Sequence, residues 1–245
     1  MHTIVLFDAV GTVIQPSPSV IDVYFELGQK YGSRLERSQV KKRISEARSK
    51  HFHVGTCADG ELPPLISNDE LEYAMWKRLV LDVFSELDTC DILFDELWEH
   101  FALPKNWQTY NDVESCWAKL RSHDIKICLA SNFDSRLLGI CEALDPFRDA
   151  DSIFCSSEIG YRKPSPMFYQ TIEDRLTGLY QSPLNLVMIG DDFENDYAAP
   201  KLAGWESVWL NRQQARPARH DATNVEEVRS LNEFADRIIL NQSAC

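Results

Sequence analysis

Five short apolar runs recur along the chain, and four of them stop at polar residues. "TIVLF" (3–7) runs into Asp8, "IKICLA" (125–130) into Ser131-Asn132, "SIFC" (152–155) into Ser156-Ser157 and "LVMIG" (186–190) into Asp191-Asp192; "SVWL" (207–210) is the fifth. Periodicity alone does not separate a buried strand from a buried helical segment. The shortness of the runs, their β-branched residues and the Gly11 that follows the first favour strands buried on both faces. Helical patterns such as "NDVESCWAKLRSH" and "SPMFYQTIEDRL" lie between them. This alternation predicts right-handed βαβ units and a parallel sheet covered by helices on both sides.

Residues 16–105 read differently, because no strand pattern occurs there. "SVIDVYFELGQKYG" (19–32) places Val20, Val23, Tyr24, Leu27 and Tyr31 at helical spacing, and Gly32 fits a stop. "RSQVKKRISEARSKHF" reads as a basic helix. "SNDELEYAMWKRLVLDVFSEL" opens with Ser67 and Glu70 at capping-box spacing, and "DELWEHFALP" closes the block. Residues 55–66 form a loop within it. The predicted organisation is a discontinuous core, residues 1–15 and 106–245, interrupted by an all-helical insert, residues 16–105. Open parallel sheets bind ligands beyond the carboxyl ends of their strands. An insert leaving from the end of the first strand hangs over that same edge.

Charge narrows the possible partners. With 38 acidic and 25 basic residues the formal net charge is -13. Such a surface repels nucleic acid and anionic lipid, so neither is expected as a partner. An anionic substrate would need local positive charge, from a metal ion or a placed Lys or Arg. The seven cysteines form no C-x-x-C pair, which predicts buried free thiols in a reducing compartment. No basic segment precedes the first apolar run, and no run reaches the ~18 apolar residues of a membrane span. The expectation is a cytoplasmic protein; the sequence leaves its oligomeric state open.

Four fragments carry candidate chemistry, each with a plainer alternative. Asp8, followed by Ala9-Val10-Gly11-Thr12, puts a carboxylate just beyond a rigid strand; it could equally cap a helix. Ser131-Asn132 could cradle a phosphate oxygen or serve as an ordinary cap. Lys163, fixed before Pro164, could neutralise an anionic transition state or sit on the surface. "GDDFENDYAAP" (190–200) crowds Asp191, Asp192, Glu194 and Asp196 at a strand end. Bunched carboxylates that stay ionised call for a hard cation, and Mg²⁺ suits this set better than Ca²⁺; a solvated acidic turn is the alternative.

In order and spacing, strand-Asp-x-x-Gly-Thr, strand-Ser, Lys-Pro and strand-Gly-Asp-x-x-x-x-Asp, the chain resembles the haloacid-dehalogenase (HAD) superfamily of phosphatases and related hydrolases. The helical block resembles their C1-type cap. The resemblance implies a Rossmann-like α/β core and a small phosphorylated substrate. It makes Asp8 the nucleophile that becomes an aspartyl-phosphate. Mg²⁺ would be held by Asp8, the backbone carbonyl of Val10 and Asp191. Ser131, with Asn132 beside it, would bind the phosphoryl group. Lys163 would neutralise charge, Asp196 would orient Lys163 or a metal-bound water, and Thr12 would hydrogen-bond near Asp8.

One position departs from the pattern. Phosphatases of that superfamily usually carry a second Asp two residues after the nucleophile, as general acid and base, and here Val10 stands there. Losing such a group typically costs ~10²–10⁴ in rate. Several readings remain open. In a phosphatase, Asp22, His51, His53 or Glu61 of the insert could supply the proton. A phosphonatase-like enzyme could use Lys41, Lys42 or Lys50. A dehalogenase is disfavoured by the retained Asp191 and Asp196. The last reading is a non-catalytic binding protein.

Overall fold

The computed structural model describes residues 2–52, 64–214 and 225–243. Six parallel strands form the main sheet. β1 (His2–Phe7), β4 (Lys126–Ser131), β5 (Ser152–Cys155), β6 (Leu184–Gly190), β7 (Glu206–Leu210) and β8 (Glu227–Val228) lie in the order β5-β4-β1-β6-β7-β8. All five apolar runs are in this sheet. β1 lies between β4 and β6, with Leu6 opposite Cys128 on one side and Met188 on the other.

Successive residues of these strands feed two cores, which is why the runs are apolar throughout rather than alternating. Val5 and Phe7, with Ile127, Leu129, Val187 and Ile189, join the core closed by α5 (Val113–Arg121), α6 (Arg136–Ala143) and α10 (Leu231–Ser243). Their neighbours Ile4, Leu6, Cys128, Ala130, Leu186 and Met188 face the core closed by α7 (Ser156–Ile159), α8 (Pro166–Tyr180) and α9 (Ala199–Leu202). Each fully buried Leu, Ile or Phe contributes about 1.5–3 kcal/mol of transfer free energy. The cysteines at 90, 116, 128, 141 and 155 are buried and unpaired.

Among the described residues, four α-helices lie between β1 and α5: α1 (Val20–Lys30), α2 (Arg37–Phe52), α3 (Asp69–Val83) and α4 (Cys90–His100). They share a hydrophobic cluster of their own, including Val23, Val40, Leu79, Phe84, Phe94 and Leu97. The chain enters and leaves this group through a two-stranded antiparallel ribbon, β2 (Ile14–Pro16) against β3 (Trp107–Thr109). Strands of three residues show no period in a sequence, so the ribbon was not predicted; the same holds for the two-residue β8.

The start of α3 differs from the capping box expected at Ser67 and Glu70. Asn68 is the cap, and its side chain accepts a 2.8 Å hydrogen bond from the Leu71 N–H. Asn caps as well as Ser, and Ser67 has another partner: its buried hydroxyl donates to the buried Glu72 carboxylate at 2.6 Å. Here the helical group meets the sheet half. The Ser67 N–H donates to Gly160 O, and the Arg162 N–H to Leu65 O. Asp69 accepts from the Ser135 N–H and hydroxyl, and Arg136 lies 3.3 Å over the Trp98 ring. No described helix is long and apolar enough to cross a membrane.

Candidate active site

β1 delivers Asp8 to the carboxyl edge of the sheet, where the Asp8 N–H extends the ladder by donating to Ile189 O at 2.9 Å. The chain then turns tightly, and the Ala9 carbonyl accepts from the N–H groups of Thr12, Val13 and Ile14. Gly11 makes the turn possible at φ +93°, and a Cβ there would lie 2.4 Å from the Asp191 carboxylate.

Lys163 joins the site from the segment before α8. Its buried ammonium lies 2.7 Å from Asp8 Oδ1, 2.6 Å from Asp196 Oδ1 and 3.0 Å from the Ala130 carbonyl, so its three N–H donors are all used. Burial works against this charge. Asp196 and then Asp8 outweigh it and hold the ammonium above the ordinary lysine range. The Ser131 hydroxyl donates to the same Asp8 Oδ1 at 3.1 Å.

The remaining carboxylates come from the end of β6. Asp196 sits in a π-helical turn (Phe193–Ala198) that sequence patterns do not reveal. Its second oxygen accepts from the Asp192 N–H at 3.1 Å. Gly190 has no side chain to obstruct it; a Cβ there would lie 2.2 Å from Asp196 Oδ2. Asp191 is exposed yet flanked by protein. Desolvation, then the charges of Asp8 and Asp192, push its carboxyl up to about 7.

Three sequence-predicted residues take partners that the sequence does not show. The Thr12 hydroxyl bonds to Asp191, accepting from its N–H at 3.1 Å and facing Oδ1 at 3.4 Å. Both ends of the Asn132 amide hold the backbone of Lys163, at 2.9 and 2.7 Å, where a phosphate contact was expected. Asp192 caps the π-helical turn through the N–H groups of Glu194 and Asn195. Among the insert candidates, Asp22 pairs with Arg37, and both His51 and Lys50 bond to Asp82. Lys41 and Lys42 are exposed on α2. His53 and Glu61 lie outside the described residues.

Sequence reasoning missed the supports. The Trp209 indole N–H donates to Asp191 O at 3.0 Å, and the Tyr169 hydroxyl to Asn195 O at 2.6 Å. Arg212 donates to Thr12 O while Asp112 grips its guanidinium at 2.8 and 2.9 Å. Each reaches the site across the fold, so no local motif marks it.

Asp8, Asp191 and Asp196 offer carboxylate oxygens that all lie within 4.8 Å of one another. The family profile described as haloacid dehalogenase-like hydrolase matches residues 2–204. The chain belongs to this family. The hydrolase is 25% identical over 240 residues to haloacid dehalogenase-like hydrolase domain-containing protein 3 of Danio rerio, covering 96% of this chain and 95% of that protein. Solved structures share its fold. The HAD-hydrolase YfnB of Bacillus subtilis, bound to magnesium, superposes with a TM-score of 0.66 at 19% identity over 97% of this chain and 98% of that one. A defluorinating L-2-haloacid dehalogenase gives 0.70 at 14% identity over 97% and 95%. The fold is therefore shared by hydrolases of different chemistry, and the side chains of the site must separate them.

Proposed function

We propose that this hydrolase is a Mg²⁺-dependent phosphatase acting on a small phosphorylated metabolite in the cytoplasm, through an aspartyl-phosphate on Asp8. In this reading residues 16–105 form a C1-type helical cap over a core of residues 1–15 and 106–245. The observation that carries it is the buried Lys163 ammonium bridging Asp8 and Asp196, with Asp191 alongside.

The donor set suits a magnesium ion. It consists only of hard oxygens, and a single buried cation faces three carboxylates. Asp196 is committed to Lys163 and to the Asp192 N–H. That leaves Asp191, the second oxygen of Asp8 and the Val10 carbonyl, which accepts no hydrogen bond among the described residues, as the groups that would hold the ion. When bound, Mg²⁺ supplies charge neutralisation for an anionic phosphoryl group.

The chain's own residues account for the rest. Asp8, the attacking group in this reading, is held in place by Ser131 and Lys163 through Oδ1. Lys163 carries the positive charge that the spreading negative charge of the transferring group requires. Asn132 fixes the Lys163 backbone, and Asp196 fixes its ammonium. Two carboxylates facing the nucleophile disfavour the dehalogenase reading, since a haloacid anion would meet repulsion with no gain. The exposed lysines of α2, and Lys50 with its partner Asp82, give no support to a phosphonatase.

Hydrolysis of p-nitrophenyl phosphate, with Mg²⁺ and with excess chelator, tests the proposal. Mg²⁺-dependent turnover that disappears in Asp8→Asn is the expected result. No turnover by the unaltered protein, or full activity in Asp8→Asn, would sink it.

A further inference from the structure

We infer that the phosphoryl donor for this site carries a leaving group that departs as an anion without receiving a proton: an acyl, enol or aryl phosphate rather than a phosphorylated alcohol. The inference rests on the aspartyl-phosphate reading and adds the class of substrate to it.

An alkoxide is a poor leaving group, and a positioned acid that protonates it is worth ~10²–10⁴ in rate. Among the described residues, the proton-bearing side chains that bond to Asp8, Asp191 or Lys163 are already committed. All three N–H bonds of Lys163 point at Asp8, Asp196 and the Ala130 carbonyl. The Ser131 hydroxyl donates to Asp8 and the Thr12 hydroxyl to Asp191. The Asn132 amide donates to Lys163 O. Asp191 belongs to the cation in this reading. The side chains that follow the nucleophile, Ala9 and Val10, carry no exchangeable proton.

Val10 itself packs against an apolar core. Val10, Phe101, Tyr110 and Phe133 are partly buried and pack against the core that contains Trp107. The Trp107 and Phe133 rings meet edge to face at 5.7 Å, and the Trp107 indole N–H is used on Phe101 O. Among these described residues the one titratable group is the Tyr110 phenol, whose ring lies 4.4 Å beneath the Arg212 guanidinium.

The chemistry balances without an acid. An Asp8 oxygen bonds to phosphorus, and the bond from phosphorus to the leaving oxygen breaks with its electron pair, releasing a carboxylate, enolate or phenolate. Water oxygen then bonds to phosphorus, the bond to Asp8 breaks, and the proton of water ends on inorganic phosphate. The Asp8 carboxylate leaves without a proton. This second step also lacks a base, so kcat/KM reports the leaving group while kcat reports the slower hydrolysis of the intermediate.

The test is kcat/KM with Mg²⁺ across a series of aryl phosphates of rising leaving-group pKa, acetyl phosphate and simple alkyl phosphates. A steep fall along the series, with alkyl donors at least ~10²-fold below the activated aryl ones, is expected. Val10→Asp should raise the alkyl donors selectively by tenfold or more, while Val10→Asn should not. Tyr110→Phe should leave the pattern unchanged; a selective loss on alkyl donors would make Tyr110 the acid and overturn the inference. Alkyl donors turned over at aryl rates overturn this inference alone. Turnover of no donor overturns the aspartyl-phosphate reading with it.

Discussion

Removing the Lys163 ammonium while keeping the bulk of the side chain, as in Lys163→Met, gives the sharpest view of how the site is held. The side chains of Lys163 and Asp196 are 2% and 1% exposed and that of Asp8 is 11% exposed, so water cannot replace the lost partner. Deleting one member of a buried ion pair costs about 3–5 kcal/mol, because the carboxylates left behind are desolvated and repel one another. That loss is comparable with the whole stability of many domains. Urea unfolding of metal-free protein at about pH 8 and about pH 5 is the assay. Burial holds the Asp196 carboxyl above the ordinary carboxylate range, and removing Lys163 takes away the charge that offsets this. The stability that protonated Asp196 contributes is present at low pH and is lost as pH rises through its folded value. The deficit against the unaltered protein should therefore be largest at about pH 8 and should shrink at about pH 5. Asp196→Asn added to Lys163→Met should recover part of it. A deficit below ~1 kcal/mol at about pH 8, or one independent of pH, would refute the reading of Lys163 as the counter-ion of a buried carboxylate cluster.

Other consequences follow from the same geometry. Gly190→Ala places a Cβ 2.2 Å from Asp196 Oδ2; chemical denaturation should show a loss of about 1–3 kcal/mol, as for other overpacked sites. Asn68→Ala removes the cap of α3 and should lower stability by about 1 kcal/mol, while Ser67→Ala should act through Glu72 and not through the helix end. The Asp191 carboxyl is raised to about 7 by desolvation and by its acidic neighbours. Its stabilising contribution is present below its ordinary value near 3.8 and lost as pH rises towards 7. Metal-free protein should thus lose stability between about pH 5 and pH 8, by less than a buried group would because Asp191 reaches solvent, and added Mg²⁺ should reverse the loss.

The sheet strands were legible because their apolar runs are short, rich in β-branched residues and bounded by glycine or polar residues. Five apolar runs, four of them ending in polar residues, match five of the six sheet strands, the helical spacing of residues 19–32 matches α1, and the basic segment 37–52 matches α2. Chemistry at strand ends was legible for the same reason: Asp8, Ser131, Asp191 and Asp196 converge because parallel strands bring their carboxyl ends to one edge. The rest depends on contacts distant in sequence. Asn68 rather than Ser67 caps α3 because the buried Glu72 takes the serine hydroxyl. Asn132 turns to the Lys163 backbone, and Thr12 to Asp191, through neighbours 31 and 179 positions away. The π-helical turn that brings Asp196 to Lys163 has no sequence period of its own.

A phosphoryl group on Asp8 is the central claim, and rapid acid quenching tests it most directly. The protein is mixed with radiolabelled acetyl phosphate and Mg²⁺, quenched within the first turnover and digested, and the labelled peptide is sequenced. The expected result is an acid-stable, hydroxylamine-sensitive label on the peptide carrying Asp8, absent from Asp8→Asn. Turnover of acetyl phosphate with the label on another residue, or with none on the protein at any quench time, would contradict it.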